Sequence, residues 1–339
     1  MAEARITSQD VARLAGVSQS AVSRVFTPGA SASKATIAKV RKAAEHLGYR
    51  PNALARAMIT GKSRIIGLVV AYLDNQFYPV ALERISNALQ ASGYHVLVFM
   101  ASNTQDGIEP VVQELMGYQV DGIITASVGM SNDLTDRCAA AGIPVVMFNR
   151  GQDGSGHSAV TSANVEGGRK VAEFLIAGGH KYIAHIAGWS GSSTGRDRQR
   201  GFEEGLAAHG QTPVAVIDGL YNRQVAAQAT RDVMALTPRP DAIFVGNDHM
   251  AFAVLDTLRS MGISVPGEVS IVGYDDVPLA AYGAYELTTV RQPLNRMVEA
   301  TVETLLAKIE DPGRPVQKIE IDGPLILRGS ARIPQGWTT

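Results

Sequence analysis

Gln19, Ser20, Ser23 and Arg24 fall on one side of a segment in which Val22, Val25 and Phe26 recur at helical spacing. Arginine can donate two hydrogen bonds to guanine, glutamine can pair with adenine, and serine serves a base or a phosphate. On one exposed face they are equipped to read duplex DNA. A second set lies where strand-like runs end: Asp74, Asn75, Phe77, Tyr78, Ser102 and Thr125 in the first half, then Asn149, Arg150, Tyr221, Asn247, Asp248, Asp275 and Asp276. Amides and carboxylates grip hydroxyls and aromatic faces stack on rings, so this set suits a hydroxyl-rich small molecule. Some of these residues would do no more than cap helices.

Other chemistries find little footing. The run Gly188–Gly195 is glycine-rich, but no Lys-Ser/Thr follows it as a phosphate loop requires. Neither a G-x-S-x-G elbow nor an H-E-x-x-H pair occurs. The 7 histidines are scattered and none stands beside a cysteine at metal spacing. No catalytic residue, metal or cofactor is therefore expected.

The DNA-reading set needs a short helix to carry it. Thr7-Ser8-Gln9-Asp10 has the spacing of a capping box, which predicts a helix from about residue 8 that stops at Gly16. Ser18 is placed to cap a second helix, and the pair makes a helix-turn-helix whose second helix enters the major groove. Ser33 opens a third helix with Ile37, Val40, Ala44 and Leu47 inward, closed by Gly48. Residues 50–61 favour helix behind Asn52, but roughly eight residues fall short of the ~12–15 that an isolated helix needs. That segment should order only when packed, as a conditional linker.

Charge divides the chain at the same place. Residues 1–60 hold 9 Lys/Arg and 3 acids, a balance of +6, so a net charge of −1 leaves −7 for the rest. A basic module on an acidic body is expected when only the first part meets phosphate. A chain of 339 residues exceeds one ordinary core. The 45% hydrophobic content, the single Cys138 and the lack of a long apolar run are expected of a soluble protein of the cytoplasm, with no membrane partner.

From residue 62 onward, strand-like runs alternate with amphipathic stretches. Ile65–Ala71, His95–Ala101, Asp121–Ala126 and Ile143–Asn149 form one set; Tyr182–Gly188, Val214–Asp218, Ala242–Asn247 and Val269–Asp275 form another. Glycines at 93, 142, 178, 210 and 262 close the helices between them. This rhythm predicts an α/β doubly wound parallel sheet, twice over, with ligands beyond the carboxyl ends of the strands.

Several ordered motifs then point to one family. Asp10-Val-Ala-Arg-Leu-Ala-Gly-Val-Ser18, Ala21-Val-Ser-Arg-Val25 and Leu47-Gly-Tyr-Arg-Pro-Asn-Ala-Leu-Ala-Arg56 resemble the headpiece of the lactose-repressor (LacI/GalR) regulators. Ile66-Gly-Leu-Val, Val120-Asp-Gly-Ile-Ile, Val245-Gly-Asn-Asp-His-Met250, Val272-Gly-Tyr-Asp-Asp276, Leu287-Thr-Thr-Val-Arg-Gln-Pro293 and Leu327-Arg-Gly-Ser330 resemble its body, in order. The resemblance spans nearly the whole chain.

It implies an all-α helix-turn-helix headpiece over 1–50, a hinge helix over 51–61 and a periplasmic-binding-protein-like core over 62–339. The core would hold an N-subdomain of about 62–162 and 293–321 and a C-subdomain of about 163–292 and 322–339. By resemblance Gln19, Ser20 and Arg24 read bases. Ser18, Ser23, Ser33, Thr36, Tyr49 and Asn52 position the DNA backbone, with Ala55 counted among the contacts, and Met58 stands where a leucine wedges into the minor groove. Phe77, Tyr78, Asn149, Arg198, Tyr221, Asn247 and Asp275 map to the effector cleft, where Arg198 would grip the ligand in two-point geometry and Tyr221 would stack. Departures include Ala21 for threonine, Thr27-Pro28 for asparagine, Tyr72 and Gln76 in the first-strand loop, and Ala163 for aspartate.

The resemblance thus implies a regulator, expected to repress, that binds a pseudo-palindromic operator as a homodimer. A small-molecule effector, a saccharide in the commonest family pattern and a purine in another, would shift operator occupancy through ~1–3 kcal/mol of coupling per site. No appended heptad helix suggests a tetramer. A periplasmic sugar-binding protein would share the body but lack the headpiece, and an enzyme would turn a cleft ligand into product.

Overall fold

In the computed structural model, the described residues are 6–26, 30–50, 62–101, 105–128, 132–152 and 156–337. They form two compact units, divided between Ser63 and Arg64.

The first unit is a small helical bundle. Helix α1 (Ser8–Ala15) starts on the expected box: the Asp10 amide donates to Thr7 Oγ1 and the Thr7 amide to Asp10 Oδ2. Gly16, at φ 63°, ends it in the left-handed region, where a side chain would be strained. Helices α2 (Gln19–Phe26) and α3 (Lys34–Leu47) follow, α3 capped by Ser33 and closed by Gly48 at φ 64°. Val11, Val22 and Val40 are fully buried between the three.

The second unit contains two six-stranded sheets. The first has the order β11-β5-β4-β3-β1-β2 and is parallel throughout. Its strands are β1 (Ile65–Val70), β2 (His95–Met100), β3 (Gly122–Ala126), β4 (Val145–Phe148), β5 (Ser158–Ser162) and β11 (Lys318–Ile321). The second has the order β12-β10-β9-β8-β6-β7, built from β6 (Ile183–Ala187), β7 (Ala215–Asp218), β8 (Ala242–Val245), β9 (Ser270–Asp275), β10 (Thr288–Arg291) and β12 (Leu325–Ile326). Only β12 runs antiparallel, against β10. The expected pair of doubly wound sheets is present. β5, β10, β11 and β12 were not among the eight anticipated runs: β5, β10 and β11 are short and carry Ser, Thr or charge, and β12 is only two residues long, so pairing with a neighbour makes them strands.

Helices fill the crossovers: α4 (Phe77–Ala91), α5 (Gln105–Gly117), α6 (Asn132–Ala140), α7 (Asn164–Ala177), α8 (Ser193–Ala207), α9 (Arg223–Met234), α10 (Asp248–Ser260) and α11 (Leu294–Glu310). The turn after α7 places Gly179, not Gly178, in the left-handed region: φ is 77° at Gly179 and −71° at Gly178. The chain passes between the sheets three times, after β5, after β10 and after β11.

One contact fixes much of the second sheet's geometry. A Cβ on Gly168 of α7 would lie 2.2 Å from the Arg198 carbonyl, and one on Gly201 of α8 would lie 1.8 Å from the Val165 carbonyl. The two helices therefore meet backbone to backbone, which only glycine allows. Arg198, on α8 one turn before Gly201, is held in place by that approach.

Candidate functional site

On the helical unit, Gln19, Ser20, Ser23 and Arg24 are all exposed on α2, while Val22 is buried. Ser18 Oγ accepts from the Ala21 amide (3.2 Å) and touches Ser20 Oγ (2.9 Å), while Gln19 Nε2 donates to Ser8 Oγ (2.9 Å). The start of α2 is thus tied to the start of α1. Ser33 Oγ accepts from the Thr36 amide (3.2 Å) and meets Thr36 Oγ1 (2.9 Å), so these hydroxyls already cap α3. Tyr49 packs its ring on Phe26 at 5.9 Å. Asn52, Ala55 and Met58 lie outside the described residues, as do Thr27, Pro28 and Ser102.

In the two-sheet unit, the strand ends face one another across a cleft. Asn149, Tyr221 and Asp275 each take positive φ, at 68°, 54° and 122°. Such backbone costs ~1–3 kcal/mol for a residue other than glycine, and it turns a side chain off the line of its strand. Arg198 is 2% exposed. Its Nε donates to Asn164 Oδ1 (2.9 Å), its Nη1 to the Gly246 carbonyl (2.7 Å), and its Nη2 lies 3.5 Å from Asp275 Oδ1. The guanidinium also sits 3.6 Å over the Tyr274 ring. Burial opposes its charge, but Asp275 and the surrounding phenols outweigh that and hold its pKa above the ordinary value. Asp275 is pushed upward by burial, against the pull of Arg198, and accepts from Gln292 Nε2 (2.7 Å) and Asn75 Nδ2 (3.5 Å).

The first sheet contributes aromatic walls. Phe77 stacks near-parallel on Phe148 at 6.2 Å and meets Tyr78 edge-on at 5.4 Å; Asn149 Nδ2 donates to the Tyr78 hydroxyl (3.0 Å). Tyr221 reaches Thr194 Oγ1 through its hydroxyl (3.0 Å). Asn247 stands apart in role: its Oδ1 accepts from the Met250 amide and caps α10. Asp248 is likewise a fastening, accepting from Thr289 Oγ1 (2.6 Å) and the Val277 amide (3.0 Å); Gly273 leaves room for it, since a Cβ there would lie 2.3 Å from Asp248 Oδ1. Burial, with Asp275 adding, pushes the Asp248 carboxyl well above the usual range.

The cleft also holds residues outside the anticipated seven. Arg150 donates to the Ser127 carbonyl (2.8 Å) and the Tyr72 hydroxyl (3.1 Å), and lies 5.5 Å from the Tyr221 ring and 5.9 Å from that of Trp189. Its place after the fourth anticipated strand was the available signal. Trp189 and Asn164 carried none, because they approach only through the fold. Among the described residues, Thr125 Oγ1, Ser127 Oγ and Asn149 Oδ1 are buried without a hydrogen-bond partner. Asp74 Oδ2 and His249 Nε2, 3.6 Å apart, make a further bridge between the two strand-end sets.

Comparison with known proteins gives the context. Residues 7–52 match the model for bacterial regulatory proteins of the lacI family, and residues 172–331 match a periplasmic binding protein-like domain. The HTH-type transcriptional repressor PurR of Photobacterium profundum is 30% identical over 329 residues, covering 96% of this chain and 98% of that protein. The chain belongs to the lacI family of bacterial regulatory proteins. It is a DNA-binding transcriptional repressor governed by a small-molecule effector, not an enzyme. Among solved structures of this family, the lac repressor dimer bound to operator and the anti-inducer ONPF aligns with a TM-score of 0.87 at 26% identity, covering 96% of this chain and 99% of that one. A complex of the transcriptional regulator CelR with cellobiose aligns at 0.73 and 30% identity, covering 96% and 100%. Among the described residues, no helix is long and apolar enough to cross a membrane.

Proposed function

We propose that this lacI-family repressor binds a saccharide between its two sheets and, as a cytoplasmic homodimer, carries the signal to a pseudo-palindromic operator. The observation that carries the ligand reading is the left-handed backbone shared by Asn149, Tyr221 and Asp275 at the cleft. Strain of that kind clusters at ligand-binding sites. The unpartnered acceptors at Thr125, Ser127 and Asn149 would each take a hydroxyl proton, since a buried polar atom left alone costs ~1–3 kcal/mol. Arg198 and Asp275 would hold hydroxyls from the second sheet, with Tyr221 stacking and Phe77 and Tyr78 forming the apolar wall. Asn247 contributes by setting the start of α10.

On the DNA side, Gln19, Ser20 and Arg24 read bases, while Ser18, Ser23, Ser33, Thr36 and Tyr49 fix the register on phosphates. Asn52, Ala55 and Met58 complete the reading through the hinge, and paired headpieces on symmetric half-sites follow from twofold symmetry. The test is calorimetry and thermal shift of the full-length protein with D-ribose, cellobiose and hypoxanthine. A saccharide at a hundred times its Kd should stabilise the core by about 2.7 kcal/mol, and Asn149→Ala should abolish the shift. Stabilisation by hypoxanthine alone would overturn the saccharide assignment.

A further inference from the structure

Asp74, in the loop after β1, and His249, at the start of α10, form an ion pair between the two sheets that the saccharide reading leaves unused. Asp74 Oδ2 lies 3.6 Å from His249 Nε2. Asp74 Oδ1 accepts from the Asn75 amide at 3.0 Å, which fixes the carboxylate and leaves Oδ2 to meet the imidazole. A pocket of about 250 Å³ opens beside the pair and is lined by both residues.

The surroundings of the two partners differ. The His249 side chain is 10% exposed and that of Asp74 is 69% exposed. Phe252, Val277 and Leu279 line the same pocket, and the charged groups facing the imidazole are Asp74 from the loop after β1 and Arg223 from α9. Arg223 Nη1 donates to the His249 carbonyl (3.4 Å) and its Nη2 lies 3.5 Å from Asp256, so it is tied to α10. Burial lowers the pKa of His249; Asp74 works against burial and Arg223 with it, and the sum stays below the ordinary 6.5. At neutral pH the imidazole is therefore uncharged and the pair is a weak contact, which a proton turns into a full ion pair.

Arg223, Phe252, Val277 and Leu279 all belong to elements of the second sheet and stay with His249 if the sheets part. The charge that the first sheet brings to the imidazole is that of Asp74. Separating the sheets removes the group that favours the proton and keeps the cation that opposes it. The proton is thus held more tightly with the sheets together than apart. Its stabilisation of the closed form is full below the pKa of the open form and is lost as pH rises through that of the closed form.

We propose that Asp74 and His249 form a proton-driven latch, which draws the loop after β1 onto the start of α10 and shifts the cleft toward its closed form on mild acidification. Asp74 is largely exposed, so the shift is that of a surface pair, about 1.5- to 5-fold in the ratio of closed to open. The latch needs no saccharide, and each of the two readings can fail without the other.

Trp189 supplies a reporter that needs no ligand. It is half-buried beside the second sheet, 5.9 Å from the guanidinium of Arg150 at the end of the first, and Trp337 is the other tryptophan of the chain. In full-length Trp337→Phe protein, the acrylamide quenching constant of Trp189 is measured at pH 7.5 and pH 5.5, with circular dichroism to confirm that the fold persists. We expect the constant to fall about 1.5-fold or more at pH 5.5 as the closed form shields the indole. His249→Gln and Asp74→Asn, each on that background, should remove the fall, and the two together should do no more than either alone. No change between the two pH values, a rise on acidification, or a fall that survives in either variant overturns the latch.

Discussion

Replacing Arg198 by methionine should cost the two-sheet unit about 3–5 kcal/mol, the usual consequence of breaking a buried ion pair and leaving one charge behind. The side chain is 2% exposed, and methionine fills much of its apolar stem. What disappears is the contact with Asp275 at 3.5 Å and the donation to Asn164 and Gly246 at 2.9 and 2.7 Å. Asp275 would keep only the amides of Gln292 and Asn75. Arg198→Met/Asp275→Asn removes the stranded charge with an isosteric amide. The two changes should therefore be non-additive, the double variant being about 2–3 kcal/mol more stable than the sum of the singles predicts.

The sign of the pH effect follows from Asp275. Burial already raises its pKa, and removing the opposing cation raises it further. A carboxyl whose folded pKa exceeds its unfolded one contributes stability in full below the unfolded value of 3.8 and loses it as pH rises through the folded value. The deficit of Arg198→Met against wild type should accordingly shrink between pH 7 and pH 5. Urea unfolding followed by circular dichroism at both pH values measures this. Additive singles, or a deficit that grows on acidification, would refute the buried-pair argument.

Three further expectations follow from the same physics. His185 is buried against Phe244 and Phe202, and burial depresses its pKa to about 4 from 6.5; its contribution is full above 6.5 and falls by about 3 kcal/mol as pH drops through 4, so His185→Phe should flatten the acid limb of a denaturation series, and an unaltered limb would count against it. Gly201→Ala should destabilise by about 3 kcal/mol or more, because its Cβ meets the Val165 carbonyl at 1.8 Å and α7 and α8 must part; a stability within about 0.5 kcal/mol of wild type would contradict the close approach. Arg24→Ala should cost specific DNA binding about 1–3 kcal/mol, roughly 5- to 150-fold, with melting unchanged. Unaltered base preference in a sequence-selection assay would remove Arg24 from the reading face.

What the chain order alone determined is local or periodic. The capping box at Thr7 and Asp10, the stops at Gly16 and Gly48, and the apolar spacing within each helix, Val22 with Val25 and Phe26 and Val40 with Ala44 and Leu47, depend on neighbours within a turn or two, so the helical unit was legible residue by residue. The strongly apolar strands were legible for the same reason, since both faces of a parallel sheet are covered. Tertiary structure decided the rest. β5, β10, β11 and β12 are strands because a partner strand satisfies their backbone, which their own composition does not announce.

The cleft divides in the same way. Asp275 could be named from a motif, Tyr221 from its place after a strand and Arg198 by resemblance, but their roles were set by residues far away in sequence: Asn164 and Gly246 orient the guanidinium, and Thr194 meets the Tyr221 hydroxyl. Asn247 and Asp248 stand at a strand end like the others, yet the fold spends one on a helix cap and buries the other under Thr289. Arg150 acquires its place beside Tyr72, Tyr221 and Trp189 only when both sheets are assembled. Electrostatics and hydrogen bonding act over a few ångströms in space, whatever the separation along the chain, and only the folded structure supplies those distances.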